Sequence, residues 1–186
     1  MSGILDAFDT YPNEALLVGK LLAGYATLEI DLMNCVAVRT DIDITLKVMF
    51  RDRGETRRIN VADALGRQRY IDWGLGTEFA MAVGAMRYCL RLRNQYAHCN
   101  WYDDKSGKLA FVNLEELAEE NDLVVDLRSL TVHHVDEPLL REQYAFLQHA
   151  SNCLVWVNYE GRFKDGSIAV RRPKPAQMRQ PDLHLP

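Results

Sequence analysis

Thr77-Glu-Phe-Ala-Met-Ala-Val-Gly-Ala-Met-Arg-Tyr-Cys-Leu-Arg-Leu-Arg-Asn-Gln-Tyr-Ala-His98 reads as one long amphipathic helix, and its end carries the chemistry. At 100° per residue from Phe79, the residues Phe79, Val83, Met86 and Leu90 lie between about 340° and about 40°, and further apolar residues extend the arc round as far as the position of Tyr88 at about 180°. Asn94, Arg87, His98, Arg91 and Gln95 fill the gap between about 60° and about 160°. Arg93 falls at about 320°, inside the apolar arc, where a guanidinium that cannot shed its charge needs a partner.

A second amphipathic pattern runs from Leu16 to Val38. Thr27, Lys20, Asp31, Gly24 and Asn34 form its polar strip, and Glu29 lands at about 220°, in the middle of the apolar arc. Two lone charges of opposite sign, each central on an apolar face, predict that the faces meet and that Glu29 pairs with Arg93. Such a pair can serve function or simply lock helix register, since desolvation offsets much of its Coulomb gain.

A chain of 186 residues is one domain, or one domain with an appendage, and its 48% hydrophobic content is enough for a full core. No apolar run approaches the roughly 18–20 residues of a membrane span, and residues 1–13 have no basic segment of a secretory signal. The four cysteines, Cys35, Cys89, Cys99 and Cys153, are far apart, so reduced thiols in a cytoplasmic protein are expected. Residues 161–186 hold six basic against two acidic side chains, so the net −4 charge divides into +4 there and −8 on residues 1–160. An acidic body does not advertise general nucleic-acid binding, although a basic tail could touch phosphate.

Along the chain, Asn13 is placed to cap a helix from Glu14 to about Arg39, and Asp41 a short one through Phe50. Charged residues around Gly54 predict a loop from Arg51 to Arg58. Asn60 then caps a helix from Val61 to about Trp73, weakened by Gly66, and Gly74 and Gly76 break the pattern. The long helix is expected to end between His98 and Trp101. Asp103 to Gly107 is a turn, Lys108 to Asn113 a strand, Glu115 to Glu120 a helical turn, Leu123 to Leu127 a second strand and Thr131 to Val135 an extended third. Asp136 or Glu137 caps a last helix running to about Tyr159, with Pro138 in its permissive first turn. Four of the six prolines follow Gly161, which predicts a flexible basic tail over 161–186. The expected fold is mainly α: an up-and-down bundle of four to five helices, with a small irregular or β insertion before the last helix.

The chain has no phosphate-binding glycine loop, no zinc-protease motif and no nucleophile elbow. His133 and His134 are adjacent, so on a strand they point to opposite faces and do not readily share a metal. No metal or cofactor is expected. The remaining group is Arg93, Asn94 and His98. Asn94 and His98 stack four apart on one helix face, whereas Arg93 and His98, five apart, diverge by about 140°. RNA cleavage through the 2′-hydroxyl suits these types: a histidine moves the proton near neutral pH and an arginine stabilises the phosphate. Spacing alone does not separate this chemistry from an ordinary solvated helix end.

The segment Leu92-Arg-Asn-Gln-Tyr-Ala-His98, followed by Cys99-Asn-Trp101, resembles the signature of the HEPN superfamily: an arginine, a polar residue, three more residues and a histidine near the end of a long helix. Gly24-Tyr-Ala-Thr-Leu-Glu-Ile30 also looks like members of that group. The resemblance implies a helical domain over residues 1–160 that forms a homodimer, with the motifs of both chains lining one cleft. It further implies a metal-independent endoribonuclease, often of toxin–antitoxin or phage-defence systems, with RNA and an antitoxin protein as partners. Arg93 and His98 carry over as the catalytic pair, and Asn94 and Glu29 as supporting residues. Arg87 and Arg91 could bind substrate from the polar arc. The alternative is a non-catalytic HEPN-like dimer that binds or scaffolds.

Overall fold

The computed structural model describes residues 5–37, 41–51, 54–113 and 131–186. The protein is mainly α-helical, with a small antiparallel sheet ahead of its last helix, as the sequence predicts. In order, the elements are α1 (Asp6–Thr10), α2 (Pro12–Val36), α3 (Ile42–Phe50), α4 (Glu55–Asp72), α5 (Gly76–Ala97), β1 (Cys99–Tyr102), β2 (Leu109–Asn113), β3 (His133–Val135) and α6 (Glu137–Lys164). The helical turn and the strand expected within 115–127 lie outside the described residues.

Helix starts follow capping chemistry. The Asp41 carboxylate accepts from the Asp43 amide at 2.9 Å, and that of Asp136 from the Leu139 amide at 3.0 Å. Asn13 is not a cap: α2 opens at Pro12, two residues before the expected Glu14, and the fixed φ and missing N–H of proline suit a first helical position. The Asn13 amide instead donates to Glu137 at 3.0 Å. Nor does α4 wait for Asn60. It begins at Glu55, because Arg58 is drawn inward to Glu29 and lies over the Phe50 ring, 4.9 Å from its centroid. A charge run that reads as loop is thus the first turn of a helix. Gly74, at φ +67°, ends α4 in a left-handed cap, where its amide donates to the Ile71 carbonyl and that of Leu75 to the Tyr70 carbonyl.

The chain folds as two compact units. One comprises Ala23–Arg91 and Phe146–Arg179. It is a helical bundle around Leu28, Leu32, Ile59, Tyr70, Phe79, Met86 and Leu154, all buried. Tyr70 stacks on Phe79 with ring centroids 4.3 Å apart, while its hydroxyl donates to the Cys35 carbonyl. Two glycines are notches for these rings: a Cβ at Gly66 would meet Phe79 at 2.8 Å, and one at Gly161 would meet Trp73 at 2.7 Å. That packing explains why neither glycine ends its helix and why α6 continues past Tyr159 to Lys164.

The other unit comprises Met1–Leu22, Leu92–Ala145 and Gln180–Pro186. Its sheet has the order β1-β2-β3, with Trp101 opposite Phe111 and Ala110 opposite His134. Residues 99–102, expected at the frayed end of a helix, are therefore a strand. The hairpin turns through Lys105 and Gly107, both at positive φ, and the Asp103 and Asp104 carboxylates accept from the amides of Lys105 and Ser106. Trp101 packs among Phe8, Tyr96 and Phe111, each with its ring centroid within 5.5 Å of the indole.

Candidate functional site

The last turn of α5 is held by Leu92 and Tyr96, both buried. The backbone amide of His98 still donates to the Asn94 carbonyl at 3.2 Å, so helical periodicity reaches the histidine before β1 begins. Arg93 and Asn94 are half-buried, and His98 is exposed. The Arg93 guanidinium donates to the Asn94 side-chain oxygen at 3.1 Å. This bond links the arginine to the residue that shares a helix strip with His98.

The ion pair that the helical wheels predict between Glu29 and Arg93 is replaced by another. Glu29 is buried, as expected, and its carboxylate takes the Arg58 guanidinium at 2.8 Å. Arg58, on a stretch whose charges read as loop, lies instead in the first turn of α4, where it reaches Glu29.

Arg87 and Arg91 belong to the helical bundle unit. Arg87 donates to Asp63 at 2.9 Å and to Asn60 at 3.2 Å, and Asp63 also receives Arg67. Burial would raise the Asp63 pKa, but the hydrogen bonds from Arg67 and Arg87 outweigh it and hold the carboxyl below its usual range. Arg91 is exposed, 5.6 Å from the centroid of the Tyr88 ring.

His133 and His134 diverge as a strand requires. His134 reaches Asp104 at 2.8 Å, while the His133 ring lies against Phe111 and His184, 4.1 Å from the latter's centroid. All four cysteines carry free thiols; Cys35 and Cys89 are buried, and Cys99 and Cys153 are half-buried. No helix among the described residues is long and apolar enough to cross a membrane.

A polar cluster that sequence reasoning missed lies beside the motif. Gln95 lies on the polar arc yet is only 8% exposed, and Gln143 is completely buried. Both amide nitrogens donate to the Leu183 carbonyl, at 2.8 and 2.9 Å, and Gln143 also donates to that of Asp182 at 2.7 Å. The Tyr96 hydroxyl donates to the Gln143 side-chain oxygen at 2.5 Å. The one available signal was a glutamine at an apolar position of the last helix, because a buried amide requires partners.

No family model, curated protein or solved structure matches this chain.

Proposed function

We propose that the protein is a metal-independent endoribonuclease of the HEPN type, working as a two-fold homodimer in a toxin–antitoxin or defence setting. The observation that carries this reading is the end of α5, where an arginine bonded to its neighbouring asparagine is followed, four residues after that asparagine, by a solvent-exposed histidine. His98 takes the proton of an RNA 2′-hydroxyl, whose oxygen attacks the adjacent phosphorus. The 5′-oxygen leaves with a proton from a general acid, and the product ends in a 2′,3′-cyclic phosphate. Arg93 holds a non-bridging phosphate oxygen and stabilises the charge that develops on it. Asn94 orients Arg93 through the 3.1 Å bond. An isologous interface would bring two copies of this turn together, so the second histidine could supply the acid.

A non-catalytic dimer that binds RNA or a protein is favoured by a different observation: Arg87, a candidate for gripping RNA, is already bound to Asp63. One experiment separates the two readings. Wild type and His98→Ala are incubated with structured RNA in EDTA and the product ends are mapped. Cyclic phosphate ends that vanish in His98→Ala support the nuclease. Intact RNA with both proteins, alongside a stable dimer in light scattering, supports the binding module.

A further inference from the structure

Residues 180–186 lie along the sheet-bearing unit as an extended strap. Pro181 is buried, Leu183 and Leu185 are half-buried, and the Leu185 amide donates to the His134 carbonyl on β3 at 2.9 Å. Its Leu183 carbonyl is where the amides of Gln95 and Gln143 converge, at 2.8 and 2.9 Å. Gln95 is three residues before His98, so the two side chains are neighbours on the surface of α5. The strap therefore covers the helix one turn from the exposed histidine. It also explains why a polar-arc residue is buried.

We propose that the strap is a built-in occupant of a nucleobase subsite: the Leu183 carbonyl stands where a base carbonyl of RNA binds, and the strap must move aside for RNA to engage. This inference rests on the RNA reading given above. Two observations favour a base over a phosphate. The groups that face the Leu183 carbonyl, two amides and the Tyr96 hydroxyl at 3.3 Å, are all neutral, whereas phosphate oxygens are better matched by cations. The acceptor that they hold here is itself a neutral amide carbonyl, the chemical equivalent of the carbonyl of uracil or guanine. Two buried amides would lose their acceptor if the strap simply left, and leaving buried donors unpaired is costly. Displacement is thus coupled to arrival of a replacement oxygen. Adenine has no carbonyl and is a poor replacement.

Leu185→Pro tests this in the full chain, since it removes the amide donated to β3 and leaves both glutamines and the motif in place. Leu183→Ser, which trims a half-buried side chain of the strap, is the second variant. Each is combined with His98→Ala so that RNA stays intact, and binding of fluorescent oligouridine and oligoadenosine is read by anisotropy. Hydrogen exchange of the Gln95 and Gln143 side-chain amides, which the Leu183 carbonyl holds, reports strap release in both variants. The expected result is faster exchange with oligouridine binding about fivefold tighter than in His98→Ala alone, the factor of roughly one net hydrogen bond. Oligoadenosine binding should barely change. A free peptide of residues 180–186 should compete with oligouridine. Released amides with unchanged or weaker oligouridine binding would overturn the proposal, as would equal gains for both oligonucleotides or unchanged exchange in both variants. Failure of the nuclease reading looks different: no cleavage in EDTA by wild type or Leu185→Pro, whatever the binding arm shows.

Discussion

The two units settle their buried polar groups by different means. In the helical bundle, buried carboxylates meet guanidinium groups: Glu29 with Arg58, Asp63 with Arg67 and Arg87, Glu160 with Arg171. Among the described residues of the sheet-bearing unit, the buried polar side chains are the neutral amides of Gln95 and Gln143, and they hold backbone carbonyls of the strap. A buried carboxylate needs its cation permanently, because an unpaired buried charge is severely destabilising. A buried amide tolerates any acceptor of the right geometry. The first arrangement fixes a structure; the second leaves room for exchange of one ligand for another, and it stands beside the candidate site.

Breaking that contrast should cost most at Glu29. Glu29→Ala removes the buried carboxylate that meets the Arg58 guanidinium, whose side chain is only 18% exposed, and should lower stability by about 3 kcal/mol in urea unfolding. Asp63→Asn comes next, at about 2 kcal/mol, because its two arginines are more exposed and can be hydrated. Its signature is pH dependence. The folded Asp63 pKa lies below the unfolded one, so its stabilisation is fully present above the ordinary carboxylate range and is lost as pH falls through the folded value. Urea midpoints of Asp63→Asn and wild type should therefore converge in acid. A constant gap between them would show that the charge of Asp63 is unimportant. Tyr96→Phe removes the hydroxyl donated to Gln143 and should cost about 1 kcal/mol. His98→Ala should cost least, under about 0.5 kcal/mol, since the side chain is exposed, while abolishing RNA cleavage. A variant that unfolds would remove His98 from the solvent-facing role assigned to it.

Much of this architecture is legible in the residues alone. Periodicity located α2, α5 and α6, the aspartates marked two helix starts, and the turn at Asp103 to Gly107 together with β2 followed from local chemistry. Local reading failed where long-range packing decides the outcome. Gly66 and Gly161 look like helix breakers until the Phe79 and Trp73 rings that need their missing side chains are in place. Arg58 looks solvated until Glu29 draws it in. At the candidate site, the helix face of Asn94 and His98 was readable from spacing. The bond between adjacent Arg93 and Asn94 was not, because helical spacing says nothing about where a long side chain bends. The strap was hidden for a further reason: it is held chiefly through its own backbone carbonyls and amide, which every sequence possesses.

The four free thiols supply an internal record of opening. Burial pushes Cys35, Cys89 and Cys99 up to about 12 and also raises Cys153, so few are thiolate at neutral pH and alkylation should be slow in the native state. Cys99 belongs to the sheet-bearing unit, the other three to the bundle. Mass-spectrometric labelling of unaltered protein would then time the loosening of each unit separately, with Cys99 as the sole reporter for the first.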